Sequence, residues 1–590
     1  MYMPKFNLHY HKSKNIDITT FGRGYLKHSD DVPEYNPFCI SKQQNYNPIY
    51  NELFILSPSN YDKICLNSKY RIVDLTTVED IITNEQFSKN VYVKYAPLLD
   101  PSNYMIGKYE TTSPNLISLP TIENVNEINN KLTCYHNCAY IDNFFYYLSS
   151  QLLNNHSFCH GVDYYGSNLI MQDLFKVDIT DELEYLQESK LFYSNENHIF
   201  KLSSGGQETM VKYLNPNVLF GTYSNKRHII INRDSSDNVI LDNVDEILDD
   251  ITQCNESVDN DFTNINVIYN NPNNNNVENS HTNINRPWGS CSNSDSSTCS
   301  GSDTGSGSDT GSGSDTGSGS DNGTGSDWET DEDTIDSDDE PRLYAYIKDF
   351  PTQSIYIEQC DGTLDKLLKH DELTDESIIA AMLQIIMTLL HYQRSYHFTH
   401  NDLHTSNIMY NATTIKYLYY KFNNKLYKVP TYGKIYKIID FGRSIYKFNG
   451  KTFCSDSFAR KGDADTQYNC EPFINKNKPT IEPNYSFDLC RLGCSMYDFI
   501  MDSDEVDTFV QTKFLINKWC LDDNDRNILY KKNGNERYHG FTLYKMIARN
   551  VHNHTPELQL DLPMFQAFIS SDNIDNEQSI MDIDAIICYV

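Results

Sequence analysis

The chain has 590 residues, 39% of them hydrophobic, and its formal net charge is −33 at pH 7. This length allows about two to four average domains, or one large two-lobed enzyme that carries insertions. So acidic a chain would repel phosphate backbones, which argues against a nucleic-acid-binding protein. No run of about 18 or more apolar residues is present, so we expect no membrane span. The 15 Cys follow no regular spacing, which favours free thiols in a reducing compartment, the cytoplasm.

The first part of the chain predicts a β-rich region with one main helix. Residues 1–85 are polar and weakly periodic, and we interpret them as an N-terminal extension or as the start of a small lobe. Residues 91–96 predict a buried strand that carries Lys94. Residues 139–154 place bulky apolar side chains at helical spacing, which indicates an amphipathic helix. A short strand is expected over residues 161–166.

A long insertion separates the two ordered parts of the sequence. We predict that it spans residues 174–340, with a low-complexity tract of Ser, Gly, Asp and Thr over residues 290–340. Residues 291–340 hold 14 Asp or Glu and no Lys or Arg. Such a segment buries too little apolar surface to offset the entropy lost on ordering, so a disordered linker is expected. Its Ser and Thr beside Asp resemble sites of acidophilic kinases, although a plain solvated linker is the simpler interpretation.

Regular patterns return after the insertion. Residues 354–360 alternate as in a strand, and residues 375–395 carry an apolar stripe that is typical of a long helix. A strand is expected over residues 434–439, preceded by a hairpin over residues 416–429. The pattern over residues 488–568 predicts mostly helices.

Two short motifs carry the chemistry. Residues 400–407 read His-Asn-Asp-Leu-His-Thr-Ser-Asn, and Asp440-Phe441-Gly442 begins 33 residues after Asn407. The first motif offers a carboxylate, Asp402, that can accept or orient a proton, and an amide five residues later. The second motif adds a carboxylate beside a glycine. One group to orient an attacking hydroxyl and two groups to hold magnesium on nucleotide phosphates are the requirements of phosphoryl transfer.

The order of elements and motifs resembles the eukaryotic-type protein kinase superfamily. Residues 356–364 are similar to a kinase hinge, and residues 486–493 look like the start of the helix beneath the catalytic loop. The composition and the His-Asn-Asp-Leu-His spelling look most like the divergent Ser/Thr kinase-like proteins of large DNA viruses. The resemblance implies an α+β, two-lobed protein-kinase-like fold. It would have a small β-rich N-lobe with one main helix, a larger, mostly helical C-lobe, and a long disordered insertion in the N-lobe.

The resemblance also implies domain boundaries. The N-lobe would comprise residues 86–173 and, after the insertion, residues 341–360, which end at the hinge. The C-lobe would comprise residues 361–570, and residues 571–590 would form a C-terminal tail.

The same resemblance assigns catalytic roles by position in the motifs. Asp402 would be the catalytic base that accepts or orients the proton of the substrate hydroxyl. Asn407 and Asp440 would ligate Mg²⁺, and Lys94 would contact the α- and β-phosphates of the nucleotide. The expected cofactors are therefore ATP and Mg²⁺.

Further residues complete the predicted site. His404 stands where protein kinases usually keep a lysine that touches the γ-phosphate, and it joins the catalytic candidates. Glu358 and Cys360, in the hinge, would offer backbone groups to the adenine. His400 would pack beside the Asp-Phe-Gly motif, and Asp488 would cap the backbone of the catalytic loop.

The sequence also departs from the kinase pattern in other places. No Gly-x-Gly-x-x-Gly precedes Lys94, so the loop that covers the phosphates is missing or divergent. The helix that should pair a Glu with Lys94 has no Glu between Lys131 and Asn155, and Asp142 is the only acid that could substitute. Asn401 replaces the arginine that often precedes the catalytic Asp, so we do not expect regulation through a phosphate on the activation loop.

Three functional interpretations are consistent with this sequence. The leading one is an ATP-dependent kinase that phosphorylates Ser or Thr of a protein substrate, in the host-cell cytoplasm or packaged in a virion. The alternative is a small-molecule kinase of the choline or aminoglycoside type, which shares His-Asn-Asp-Leu but commonly departs from Asp-Phe-Gly. The third is a catalytically silent pseudokinase scaffold, which the missing Gly-rich loop and helix Glu favour. The substrate and the oligomeric state stay open.

Overall fold

The computed structural model describes residues 6–109, 117–203, 342–501, 509–571 and 579–590, except positions 15, 24, 26, 29, 30, 181 and 371. The strands are, in chain order, β1 Tyr10–Lys12, β2 Ile40–Gln44, β3 Ile64–Leu66, β4 Tyr70–Asp74, β5 Thr77–Asp80, β6 Gln86–Ser88, β7 Val91–Pro97, β8 Tyr164–Asp178, β9 Phe200–Leu202, β10 Tyr344–Glu358, β11 Gly362–Thr363, β12 Ile408–Ala412, β13 Tyr417–Phe422, β14 Lys425–Pro430, β15 Lys434–Ile438, β16 Ile445–Phe448, β17 Lys451–Cys454 and β18 Ile580–Asp582. The helices are α1 Tyr50–Leu53, α2 Pro101–Met105, α3 Asn130–Thr133, α4 Cys138–His156, α5 Leu183–Gln187, α6 Lys190–Asn195, α7 Leu364–Lys369, α8 Asp375–Tyr396, α9 Phe487–Met501, α10 Val510–Trp519, α11 Thr542–Asn550, α12 Pro556–Gln559 and α13 Pro563–Gln566.

The fold is mixed α+β, and a five-stranded antiparallel sheet carries Lys94. Its strands lie in the order β2-β8-β10-β7, and β9 also pairs with β10. Lys94 lies opposite Ile355 in the β7–β10 register. β8 and β10 are mostly buried and each run for 15 residues, rich in the β-branched and aromatic side chains that suit a covered sheet. The strands predicted over residues 91–96 and 354–360 are confirmed, the second as the end of a longer strand, whereas the one predicted over residues 161–166 begins only at Tyr164.

Helix α4 is the main helix packed on this sheet, against β8 and β10. The side chain of Asn137 accepts a hydrogen bond from the N–H of Ala139 at its start, and Ser157 ends it in the left-handed conformation, with φ 55°. Of its 19 residues, 15 are buried. The helix predicted over residues 139–154 is therefore confirmed, but it is enclosed on nearly every side rather than along one apolar stripe.

Helix α8 and a three-stranded sheet support the two chemical motifs. The side chain of Thr374 caps the start of α8, which packs against β15. β12 lies between β11 and β15, and Ile408 faces Ile438 in the antiparallel β12–β15 ladder. The helix predicted over residues 375–395 and the strand predicted over residues 434–439 are confirmed.

Two hairpins flank this region. β13 and β14 form the predicted hairpin around Asn423 and Asn424, which both have positive φ values, as asparagine in a tight turn tolerates. β16 and β17 form a second hairpin directly after the Asp-Phe-Gly motif. Residues 520–541 contain no helix, so the prediction of mostly helical structure over residues 488–568 is wrong there. Asp522 explains part of this difference, because its side chain accepts hydrogen bonds from nearby backbone N–H groups and so competes with a helix.

Strands from several of the predicted segments belong to the five-stranded sheet. β2 comes from residues 1–85 and pairs with β8. The boundary at residue 174 falls inside β8, and β9 returns to pair with β10. The acidic tract at residues 290–340 lies outside the described residues. All described residues belong to one compact unit, which is formed by the chain up to Leu219 and from Gly317 onward. None of the described helices combines the length and the apolar character needed to cross a membrane.

Tyr589, in the last described segment, packs in the hydrophobic core. This residue is 1% exposed, and its ring centre lies 4.5 Å from that of Phe6, 5.6 Å from that of Tyr396 and 6.2 Å from that of Phe448. Its hydroxyl accepts a hydrogen bond from the N–H of Phe6 and lies 2.8 Å from Nε2 of His156. Tyr589 therefore joins helix α4, helix α8 and the β16–β17 hairpin.

Truncation of this side chain should destabilise the fold. Tyr589→Ala is expected to lower the free energy of unfolding by about 3–5 kcal/mol, the usual cost of removing a buried aromatic ring. Tyr193→Ala, at a residue that is 40% exposed, should change it by less than about 0.5 kcal/mol. Chemical denaturation measures both variants, and equal effects would contradict a core role for Tyr589.

Buried histidines surround the turn between α4 and β8. The ring nitrogens of His160 hydrogen-bond with the carbonyl oxygen of Tyr436 and with the hydroxyl of Tyr420, both at 2.6 Å. Burial lowers the pKa of His160 to about 4. Burial also lowers the pKa of His156, and it lowers the pKa of His391 well below its usual value. Burial therefore disfavours the charged form of all three rings in the folded chain.

Acid should weaken the fold through His160. The unfolded chain takes up a proton at this ring below about pH 6.5, whereas the folded chain does so only near its pKa of about 4. Between these values the unfolded state holds more protons, so stability falls as the pH falls. From pH 7 to pH 5 the free energy of unfolding should drop by about 2 kcal/mol through His160 alone. Urea denaturation at both pH values should show a smaller drop for His160→Gln, and an unchanged drop would refute this origin.

Candidate active site

The pairing of β12 with β15 brings the two motifs together. Ile408 faces Ile438 in this ladder, and the N–H of Ile439 donates to the carbonyl of Asn407 at 3.0 Å. Asn407 directly precedes β12, and Asp440 lies two residues after the end of β15. Although 33 residues separate them along the chain, the two predicted magnesium ligands lie at the same edge of the sheet.

Asp488 shapes the loop that carries Asp402. Asp488 is fully buried in the first turn of α9, and its carboxylate accepts hydrogen bonds from the N–H groups of His400 at 2.9 Å and Asn401 at 2.8 Å. Asn401 has a φ of 67°, a left-handed conformation that asparagine tolerates. The ring of His400 lies 5.9 Å from that of Phe441. The predicted supporting roles of Asp488 and His400 are therefore confirmed.

Two groups from outside this loop hold the carboxylate of Asp402. Tyr544 donates its hydroxyl to Oδ1 at 2.8 Å, and Nη1 of Arg443 lies 3.4 Å from Oδ2. Arg443 also forms a 2.8 Å ion pair with Asp463. Burial alone would lower the pKa of Arg443, but the two carboxylates outweigh this effect and raise it. Asp402 is 7% exposed, so contacts on both of its oxygens set its orientation.

Lys94 bridges two acids. Its ammonium lies 2.8 Å from the carboxylate of Asp142 and 2.8 Å from that of Asp440. Burial alone would lower the pKa of Lys94, but these carboxylates raise it well above its usual value, so Lys94 stays protonated. Asp142 also accepts a hydrogen bond from the N–H of Phe441 at 2.7 Å. The acid expected to substitute for the helix Glu therefore contacts Lys94.

The three charges change the protonation of one another. Burial raises the pKa of Asp142 to about 6, and repulsion from Asp440 adds to this shift although Lys94 opposes it. Burial also acts to raise the pKa of Asp440, but attraction to Lys94 outweighs it and the pKa is lowered. Asp440 is therefore ionised at neutral pH, as a carboxylate must be to bind a cation.

The side chains of Asn407 and Asp440 would suit a magnesium ion, which would take its remaining ligands from phosphate oxygens and water. Asn407 donates from its amide nitrogen to the carbonyl of Asp402 and to Nε2 of His404, both at 3.0 Å, which leaves the amide oxygen for a cation. Within the described parts of the chain, no three His, Cys, Asp or Glu form a metal cluster. Mg²⁺ usually binds one or two carboxylates together with substrate phosphates, and this donor set suits it.

The predicted hinge residues have roles within the fold. The side chain of Glu358 forms a buried ion pair with Lys437 and accepts a hydrogen bond from the N–H of Asp163 at 2.8 Å. The N–H of Glu358 donates in turn to the carbonyl of Asp163 at 3.0 Å. Cys360 is buried, and burial raises the pKa of its thiol. The contact of Glu358 and Cys360 with adenine stays a prediction.

Sequence reasoning misses three residues around the two carboxylates. The hydroxyl of Tyr146 accepts a hydrogen bond from the N–H of Asp440 at 3.0 Å, and Tyr146 lies one helical turn after Asp142, so periodicity could have found it. Arg443 directly follows the Asp-Phe-Gly motif, and this position was a usable signal. Tyr544 lies 142 residues beyond the aspartate that it contacts, and no local pattern marks it.

The geometry brings together the carboxylate of Asp402, with contacts on both oxygens, the protonated Lys94, and the oxygen-bearing side chains of Asn407 and Asp440. No family model matches the chain. A stretch of 106 residues is 36% identical to serine/threonine-protein kinase haspin of Mus musculus, which covers 17% of this chain and 14% of that relative. A stretch of 86 residues is 36% identical to serine/threonine-protein kinase haspin of Bos taurus, and it covers 14% of this chain and 11% of that relative. The chain thus matches only a small part of these curated relatives, and the similarity supports a kinase-like chain at the coarse level.

Loss of the Asp488 carboxylate should loosen the loop that carries Asp402. Asp488→Ala leaves two buried N–H groups without an acceptor, so the free energy of unfolding should fall by about 2–5 kcal/mol. Asp488→Asn keeps one acceptor oxygen, so its free energy of unfolding should lie between that of Asp488→Ala and that of wild type. Asp173→Ala, at an exposed position on β8, should stay within about 0.5 kcal/mol. Denaturation curves in which Asp488→Ala matches Asp173→Ala would rule out this support.

Proposed function

We propose that the protein is an ATP-dependent protein kinase with a two-lobed kinase-like fold, which transfers the γ-phosphate of Mg-ATP to Ser or Thr hydroxyls of a protein substrate. The observation that carries this proposal is the convergence of Lys94, Asn407 and Asp440. Lys94 contacts Asp440 at 2.8 Å, and the backbone of Asn407 binds that of Ile439. The loop of Asp402 is tied to the same edge, because Asn407 donates to the carbonyl of Asp402. The partial similarity to a serine/threonine-protein kinase supports the same reaction and a protein substrate.

In this mechanism Asp402 is the base. Its carboxylate accepts a hydrogen bond from the acceptor hydroxyl, aims the oxygen at the γ-phosphorus and takes the proton as the new P–O bond forms. In the same step the bond from the γ-phosphorus to the β–γ bridging oxygen breaks, and ADP leaves with that oxygen. A base that is already oriented loses little freedom when the substrate arrives, which lowers the barrier. The contacts of Tyr544 and Arg443 supply this orientation.

Lys94 and the two oxygen donors hold the nucleotide. Lys94, protonated beside Asp142, contacts the α- and β-phosphates while Asp142 keeps the ammonium in place. Asp440 and Asn407 hold the cation at the sheet edge. Magnesium, when bound there, neutralises charge on the phosphate oxygens.

A catalytically silent scaffold is the second candidate, and two observations favour it. No glycine lies between Gly24 and Gly107, so the strands before Lys94 lack the residue that lets a backbone approach phosphates closely. The ammonium of Lys94 is also shared between two carboxylates, which a nucleotide must partly displace.

Phosphate transfer tests the proposal directly. Purified protein with radiolabelled Mg-ATP should label itself or a generic protein substrate. Asp402→Asn should lower the rate at least about 100-fold, because a positioned base contributes about that much. Asp173→Asn, an exposed aspartate on β8, is the matched control and should keep the wild-type rate. Labelling that survives Asp402→Asn would overturn the assignment of the base.

Thermal unfolding separates the enzyme from the scaffold. A ligand that binds only the folded state raises the melting temperature, so Mg-ATP should raise it for wild type. Asp440→Asn should reduce the shift, since it removes a carboxylate from the cation site. The absence of any shift at saturating Mg-ATP would favour the scaffold.

A further inference from the structure

Among residues 400–407, all of which the structure describes, no side chain donates a hydrogen bond to the carboxylate of Asp402. His404, two residues after Asp402, accepts a hydrogen bond from the amide of Asn407 at 3.0 Å. It thereby orients a predicted cation ligand rather than the base. The hydroxyl that reaches Oδ1 of Asp402 comes instead from Tyr544 in helix α11, at 2.8 Å.

Tyr544 is held as firmly as the carboxylate that it contacts. Its ring is 3% exposed, and the guanidinium groups of Arg443 and Arg491 lie 5.8 Å and 5.0 Å from the ring centre. The ring of Phe541 stacks on it with 5.3 Å between centres. Burial raises the pKa of Tyr544 to about 12, so the hydroxyl keeps its proton at neutral pH and remains a donor.

We propose that Tyr544 is the positioning residue of the base: its hydroxyl fixes the rotation of the Asp402 carboxylate so that one lone pair of Oδ1 faces the acceptor hydroxyl. This inference rests on the proposed kinase function and adds a residue to it. A carboxylate oxygen has two lone-pair sites, and Tyr544 occupies one of them on Oδ1. The remaining site is therefore fixed in direction before any substrate binds. Nη1 of Arg443 lies 3.4 Å from the other oxygen, as an ion pair without hydrogen-bond geometry, so the hydroxyl of Tyr544 is the directional contact of the carboxylate.

The contact should affect transfer and leave nucleotide binding unchanged. Lys94, Asn407 and Asp440 bind the nucleotide through other contacts, and none of the hydrogen bonds or ion pairs described for them involves Tyr544. Loss of the hydroxyl frees the carboxylate to rotate away from the line of attack. A hydrogen bond to a charged group is worth roughly a tenfold to hundredfold change in rate when the reaction depends on it.

The test is Tyr544→Phe, which removes one oxygen atom and keeps the ring. The kcat for transfer to protein should fall about 10- to 100-fold, while KM for ATP and the thermal shift with Mg-ADP stay within about twofold of wild type. Tyr530→Phe is the matched control, because the hydroxyl of Tyr530 also donates to an aspartate, Asp498, at 2.8 Å. This control should keep the wild-type kcat. In an Asp402→Asn background, Tyr544→Phe should cause no further loss, because it acts through that carboxylate.

The outcomes separate this inference from the proposed function. Wild type that labels protein, with Tyr544→Phe at the same kcat, overturns the positioning role and leaves the kinase assignment intact. A loss of kcat that Tyr530→Phe reproduces, or that persists unchanged in the Asp402→Asn background, also overturns it, since the effect would then be structural. Wild type that transfers no phosphate and shows no shift with Mg-ATP overturns the proposed function, and the role of Tyr544 falls with it.

Discussion

A single buried ammonium group, that of Lys94, ties together the three elements on which the site depends. β7 supplies Lys94, α4 supplies Asp142, and the turn after β15 supplies Asp440, with 2.8 Å between Lys94 and each carboxylate. A charge taken out of water costs several kcal/mol unless it is paired and hydrogen-bonded. No one of these elements can shift without leaving a buried charge unpaired. The ion pair therefore sets the position of the helix relative to the Asp-Phe-Gly motif.

Distant parts of the chain support the loop of Asp402. Asp488, in the first turn of α9, satisfies two backbone N–H groups of the loop, and Tyr544 in α11 reaches the carboxylate itself. The segment after the Asp-Phe-Gly motif is also fastened, because Asp456 accepts hydrogen bonds from Lys131 at 2.6 Å and from the N–H of Cys138 at 3.0 Å. Side chains from distant elements therefore hold both the loop of Asp402 and the segment after the Asp-Phe-Gly motif in place.

The heavy use of tyrosine, 43 residues, follows from the way this core is built. Tyrosine combines an apolar ring with a hydroxyl that needs a partner when it is buried. Tyr356, Tyr392 and Tyr446 are each buried and donate to or share a hydrogen bond with a group on a neighbouring element, at 2.9 Å, 2.7 Å and 2.9 Å respectively. Such paired hydroxyls specify one arrangement of strands and helices more strictly than apolar rings alone.

Local patterns were enough to locate the elements that hold the candidate site. The helical spacing of residues 375–395, the alternation over residues 354–360 and the Asn pair of the β13–β14 hairpin each act over a few residues, so the sequence alone determines them. The motif at residues 400–407 likewise identifies Asp402 and Asn407 as candidates by their chemistry.

Only the tertiary structure decided which side chains meet across long separations. Tyr544 contacts Asp402 over 142 residues, and Tyr589 meets Phe6 over 583. The 15-residue length of β8 and β10 depends on the strands beside them, since a strand extends as far as its neighbours pair with it. Periodicity reports which face of an element is buried, whereas the partner on that face is chosen by the packing of the whole chain.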